Sequence, residues 1–180
     1  MTGKICSGKS TVLKAISEEI HWPIISFGSY VRHIAQGRML PSKRNIYQAL
    51  GAELYQTLGP KKFLIEVMRF HLKSDQENIL FDGVRHESIL KEIQNAFNII
   101  YIIFLNADVK LRYKRLPTKR SNSEEKLSFE EFLKIDNHPV EVEIESLRKQ
   151  ANVIIDSSKP LKEILSEIHE FISEQILGKG

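Results

Sequence analysis

A chain of 180 residues with a single cysteine cannot form an internal disulfide, which argues for a reducing, cytoplasmic setting. Hydrophobic residues at 42% and charged residues at 27% suit one globular domain over 1–180, and no apolar run has membrane-spanning or signal-peptide form, so no membrane partner is expected. A net charge of +3 permits anionic ligands without arguing for nucleic acid as a partner.

The chain opens on Gly3, four further residues, then Gly8-Lys9-Ser10, the spacing of a phosphate-binding loop. Glycines there let backbone N–H groups surround phosphates, and the following helix N-terminus adds its dipole. Gly3, Lys4, Cys6, Ser7, Gly8, Lys9, Ser10 and Thr11 are therefore the candidate contacts to ATP. Lys9 would reach the β- and γ-phosphates, and the Ser10 hydroxyl suits Mg²⁺. Cys6 reads as a small residue that fits a tight turn, with a redox switch as the alternative. Only Met1 and Thr2 precede the loop, whereas such a loop normally hangs from a central strand. The expectation is an apolar strand of about five residues upstream.

Val12, Leu13, Ile16 and Ile20 repeat at helical spacing, so a helix runs from Lys9 to Ile20 until Trp22-Pro23 stops it. Ile24 to Phe27 reads as a short buried strand, and Gly37, Pro41, Gly51 and Gly59-Pro60 divide the helical region that follows. Asn78 to Asp82 and Asn98 to Leu105 read as further strands, the latter apolar on both faces as parallel strands are. Ser128 to Glu131 has capping-box form. Val140, Ile144, Leu147 and Ala151 make a helical stripe, Val153 to Asp156 a fourth strand, and Leu161 to Ile176 the clearest helix. Strands alternating with helices predict a doubly wound α/β domain with a parallel sheet.

Asp82 ends an apolar strand and is followed by Gly83. An Asp so placed can bind Mg²⁺ through water or accept a proton from an attacking hydroxyl. Motor-type ATPases follow it with a second acid that activates water, so Gly83 tilts the reading from hydrolysis toward transfer. The basic run Lys110, Arg112, Lys114, Arg115, Lys119 and Arg120 follows the third strand. Arg112 and Arg115 would share a helix face. Arg115 and Arg120 are candidates to neutralise charge on a transferring phosphoryl group, against a solvated basic face as the plainer reading.

These motifs together resemble the P-loop nucleoside and nucleotide kinases, in particular the dephospho-CoA kinase-like and adenylate kinase-like group. "GKICSGKST" is similar to the kinase P-loop, and "SFGSYVR" (Ser26 to Arg32) to the segment that serves the acceptor. "FDGVR" (Phe81 to Arg85) resembles the element that contacts the acceptor phosphate. "RYKRLPTKR" (Arg112 to Arg120) is placed like the lid, and "VIIDSSKP" (Val153 to Pro160) like the last strand and adenine loop. Ser29 stands where these kinases often carry Asp, and the lid is short without zinc-ligand cysteines. His86 and His138 are weaker acceptor-site candidates.

The resemblance implies a three-layer α/β/α P-loop NTPase fold with a mostly parallel sheet, an acceptor-binding insertion at about 28–75 and a lid at about 112–138. It implies ATP and Mg²⁺ as cofactors and a small-molecule phosphoryl acceptor as partner. Lys9, Asp82, Arg115 and Arg120 would be catalytic, Ser10 and Asp82 would hold the metal, and Arg32 and Arg85 would grip the acceptor's anionic group. A nucleotide-dependent switch and a kinase of nucleic-acid ends are the competing readings.

Overall fold

The computed structural model describes residues 1–73, 76–116 and 127–177. In chain order the elements are α1 (Lys9–Ile20), β1 (Ile24–Ser26), α2 (Phe27–Gly37), α3 (Arg44–His71), β2 (Leu80–Asp82) and α4 (Glu87–Ala96). They continue with β3 (Ile103–Asn106), α5 (Val109–Lys114), α6 (Phe129–Asp136), α7 (Pro139–Lys149), β4 (Val153–Asp156) and α8 (Leu161–Leu177). Among the described residues, no helix is long and apolar enough to cross a membrane.

All strand pairs are parallel: β1 runs beside β2 with Ile25 opposite Phe81, and β3 beside β4 with Leu105 opposite Ile155. Among the described residues, the backbone hydrogen bonds that join the two pairs run through Met1 and Thr2. Thr2 donates its N–H to the Ile103 carbonyl at 2.8 Å and accepts the Leu105 N–H at 2.9 Å. The Met1 ammonium donates to the Phe81 carbonyl at 2.7 Å, and its burial lowers its pKa to about 6. The order across the sheet is therefore β1, β2, the Met1–Thr2 stub, β3, β4.

Helices cover both faces. On one, Val12 and Ile16 of α1 meet Leu105, Ile155 and the α8 residues Ile164 and Ile168. On the other, Ile25 packs with Phe27, Tyr30 and Val31 of α2, Leu50 to Val67 of α3, Ile89 to Ile93 of α4, and Leu147 of α7. The α/β/α expectation therefore stands.

The strands are shorter than their apolar runs. The Ser26 hydroxyl accepts the Ser29 N–H and caps α2, so Phe27 is the first helical residue rather than the last of β1. β2 starts at Leu80, whose N–H goes to the Pro23 carbonyl at 2.9 Å; the proline itself has no N–H to extend the ladder. β3 starts at Ile103, opposite Val153. Just before it the Ile102 N–H turns aside to the Asn152 side chain at 2.7 Å. The capping box at Ser128 and Glu131 is formed in full and opens α6. Gly59, at φ 73°, kinks α3 before Pro60.

Between the half-sheets lies a cavity of about 550 Å³, lined by Met1, Leu13, Ile16, Leu80, Phe81, Ile103 and Phe171 among others. Its walls are apolar side chains and two strand edges, the surroundings an extended apolar segment fills. Fusing about five alternating Val and Ile residues ahead of Met1 should raise the melting temperature by roughly 5 °C or more, whereas a Gly/Ser extension of the same length should not. Equal melting curves for the two fusions would show that this groove does not take a strand.

Candidate active site

The loop after Thr2 is shaped by contacts that leave no room for side chains. A Cβ on Gly3, at φ 143°, would lie 2.5 Å from the Leu105 carbonyl oxygen, so the loop can leave the sheet only through glycine. Gly8 takes a left-handed conformation, φ 94°, as the N-cap of α1. Cys6 is also left-handed at φ 59°, and burial pushes its thiol pKa up against the pull of Arg44, Lys9 and Arg112. It is a protonated, small turn residue at neutral pH, as the tight-turn reading holds.

Lys9 folds back over its own loop. Its ammonium donates to the Gly3 carbonyl at 2.6 Å, the Lys4 carbonyl at 2.9 Å and the Ser7 hydroxyl at 3.3 Å. Burial lowers its pKa to about 8; the Arg85 and Arg44 cations reinforce this, while Asp82 and Glu141 oppose it. Ser10, in the first turn of α1, is exposed. Asp82 closes β2, and its carboxylate accepts the Ser26 hydroxyl at 3.3 Å. These two hard oxygen donors fit Mg²⁺, which binds through one or two protein oxygens together with phosphates and water rather than in an all-protein cage.

Arg115 is at the loop. It donates to the Ser7 carbonyl at 3.3 Å, to the Ser157 hydroxyl at 3.2 Å and to the Ser157 carbonyl. Arg112 does not share its face as expected. α5 ends at Lys114 with Arg115 as its cap, and Arg112 is buried in a two-pronged ion pair with Asp136. It also donates to the carbonyls of Ala107 at 3.0 Å and Ile5 at 3.4 Å. Burial works against the Asp136 charge, but the Arg112 hydrogen bonds and charge, with Lys4 at 3.7 Å, hold its carboxyl below the usual range. Arg112 is thus a strut under the loop.

Arg85 lies beyond Gly83 and meets Glu141 of α7 at 2.5 Å. The same carboxylate, wholly buried, accepts Arg44 at 3.2 Å and the Ile5 N–H of the loop at 3.1 Å. Arg32 is exposed on α2, and Arg120 lies outside the described residues. His86 pairs with Glu143 at 2.8 Å and stacks on Tyr55, a bridge between α3 and α7. Arg44 and Glu141 were not singled out in the sequence; one sits in a long helical stretch, the other among the acidic residues Glu141, Glu143 and Glu145.

A family model described as the AAA domain matches residues 2–134. The chain belongs to the AAA domain family. Its relatives include UPF0200 proteins from Pyrobaculum aerophilum and Pyrococcus furiosus. The first is 28% identical over 93% of this chain and 92% of its own length. The second is 25% identical over 99% and 97%. Among solved structures, shikimate kinase from Aquifex aeolicus superposes with a TM-score of 0.61 at 19% identity, over 98% of this chain and 96% of that one. Deoxyadenosine kinase from M. mycoides, solved with bound dATP, gives 0.53 at 17% identity, over 95% and 96%. This AAA domain protein therefore has the fold of the P-loop kinases, as its motifs indicated.

The Lys9 geometry yields a measurable proton balance. A nucleotide phosphate that draws Lys9 off its own carbonyls restores its ordinary basicity, so binding takes up a proton wherever the ligand-free lysine is neutral. With a ligand-free pKa of about 8, calorimetry in buffers of different ionisation enthalpy should show uptake approaching one proton per ADP near pH 9. That uptake should fall close to zero by about pH 7. Uptake that is the same at both pH values would contradict this lysine's titration.

Proposed function

We propose that the protein transfers the γ-phosphoryl group of ATP to a hydroxyl or phosphate of a small metabolite in the nucleotide, nucleoside or dephospho-CoA class. The observation that carries this reading is the convergence of Lys9, Asp82, Arg85 and Arg115 on one phosphate loop, with Gly83 where a hydrolase would carry its second acid. The kinase fold of the structural neighbours supports it.

In this reading the amides of the loop and Lys9 hold the β- and γ-phosphates. Mg²⁺, held through the Ser10 hydroxyl and by Asp82 through water, would neutralise charge between those phosphates. Asp82 is also placed to accept the proton of an attacking hydroxyl. Arg115, anchored on the Ser7 and Ser157 carbonyls, is pre-positioned to meet charge on the transferring group without reorganising. Arg85 presents a planar, two-donor fork to an anionic group on the acceptor. A solitary cysteine agrees with work in the cytoplasm.

The test is a screen of nucleoside monophosphates, nucleosides and dephospho-CoA that reads ADP release. An acceptor should stimulate turnover well above the rate with ATP alone. Arg85→Ala should then raise the acceptor KM about tenfold to a hundredfold, the value of a charge-assisted hydrogen bond, with ATP affinity little changed. Asp82→Asn should lower kcat while both ligands still bind. Turnover indifferent to every acceptor, in wild type and Arg85→Ala alike, would replace the kinase with a nucleotide switch.

A further inference from the structure

Asp82 serves the metal and the proton in the reading above, and its carboxylate is held from outside its own strand. Ser26, directly opposite it in the β1–β2 pairing, caps α2 by accepting the Ser29 N–H on its hydroxyl oxygen. A serine hydroxyl has a single proton, and that proton goes to Oδ2 of Asp82 at 3.3 Å. The other carboxylate oxygen, Oδ1, has no hydrogen-bond partner among the described residues.

The position of Ser26 is set in turn by a residue 45 positions away. β1 is the outermost strand, with β2 on one side only. The Ser26 N–H goes to Nε2 of His71, the last residue of α3, at 3.1 Å. This bond selects one tautomer of the ring, with the lone pair on Nε2 and the proton on Nδ1. A proton on Nε2 could go to the Ser26 carbonyl, 3.0 Å away. The Ser26 N–H would then face another N–H and be left without an acceptor. The Ser29 hydroxyl, 3.0 Å from Nε2 and 2.9 Å from the same carbonyl, has its proton to share between those two acceptors. Phe70 packs edge-on against the His71 ring at 4.8 Å.

We infer that His71 is a positioning residue for Asp82. Its Nε2 fixes the backbone of Ser26, the Ser26 hydroxyl fixes Oδ2, and Oδ1 is kept for the water of a bound Mg²⁺ or the proton of an acceptor. The inference rests on the proposed role of Asp82 and extends the site to Ser26 and to the far end of α3.

Two measurements on the full chain test it, and neither involves turnover. Long-range proton–nitrogen NMR at about pH 8, where histidine is ordinarily neutral, should find the His71 proton on Nδ1; a proton on Nε2 would overturn the inference. Calorimetry then compares ADP affinity with and without Mg²⁺, which should tighten binding in the wild type. Ser26→Gly keeps a residue accepted at a helix cap but loses the hydroxyl, and His71→Phe keeps a ring but loses the acceptor. Each should cut the tightening by Mg²⁺ about tenfold, the low end for a group that orients a metal's ligand, with metal-free ADP affinity unchanged. His71→Gln, whose amide oxygen can take the Ser26 N–H, should restore most of the effect. A purely structural role would lower the melting temperature of the variants and leave the Mg²⁺ effect at its wild-type size, and that result overturns the inference. A loss in His71→Gln as complete as in His71→Phe overturns it as well. Should Ser26→Gly fail to fold, the two His71 variants decide. Wild-type ADP binding indifferent to Mg²⁺ removes the metal role of Asp82 and this inference with it. A Mg²⁺ effect that the variants lose as expected, in a protein without acceptor-stimulated ADP release, removes only the kinase reading.

Discussion

The structure depends on two hydrogen bonds made by one residue. Thr2 gives its N–H to Ile103 and takes the N–H of Leu105, and its hydroxyl reaches across to the Val84 carbonyl at 3.2 Å. Those bonds, with the Met1 ammonium on Phe81, join β1–β2 to β3–β4. They also set the point from which the phosphate loop departs. Gly3 then passes so close to the Leu105 carbonyl that a methyl group has no room. The backbone of the loop takes its starting position from this crossing. The Val84 carbonyl bonded to Thr2 lies next to Arg85, so the same residue orients the segment that carries Arg85.

Charge is the second organising constraint. The loop is surrounded by Lys9, Arg44, Arg85, Arg112 and Arg115, and bare cations at that density would repel one another across a medium far less screening than water. The fold distributes them among carboxylates and carbonyls. Arg112 is neutralised outright by Asp136, Arg44 and Arg85 share Glu141, and Arg115 rests on the carbonyls of Ser7 and Ser157. Lys9 donates to neutral oxygens, and its burial, reinforced by Arg85 and Arg44, lowers its pKa to about 8. The groups held by neutral oxygens, Lys9 and Arg115, keep the most to gain from an arriving polyphosphate. Arg112, already paired in a buried salt bridge, has the least to gain.

What was legible in the sequence follows the range of the interactions concerned. The phosphate loop, the capping box at Ser128 and the helix from Leu161 are specified by neighbours within a few positions, and the structure contains them within a residue or two. Strand ends were not legible, because they depend on partners elsewhere. Ile102 leaves the ladder for Asn152, and Phe27 enters a helix because Ser26 caps it. The site divides in the same way. Lys9 and Asp82 belong to local motifs. Glu141 works on residues 56, 97 and 136 positions away, and within its own helix it resembles Glu143 and Glu145. The pairing that removes Arg112 from the cleft depends on Asp136, 24 positions on. Helical spacing put Arg112 and Arg115 on one face, but the helix stops between them.

The phosphate loop and α3 are also tethered differently. The loop hangs on the sheet through Thr2 and on α1 through Gly8. The first residue of α3, Arg44, is bonded to Glu141 of α7. The last residue of the same helix, His71, meets Ser26 and Ser29 at 3.0 Å. A helix pinned at both ends transmits a displacement unless it has a joint, and α3 has one at Gly59-Pro60. Pro60 cannot supply the helical hydrogen bond, Gly59 is at φ 73°, ψ 164°, and a Cβ there would meet open space. The N-terminal part of α3, which bears Arg44 and packs through Leu50 and Leu54, and the part after the joint, held by Phe63, Leu64 and Val67, bury their apolar faces in one core. The first residue of α3 is thus tied through Glu141 to the phosphate loop and its last to β1, with the break in the helix between them.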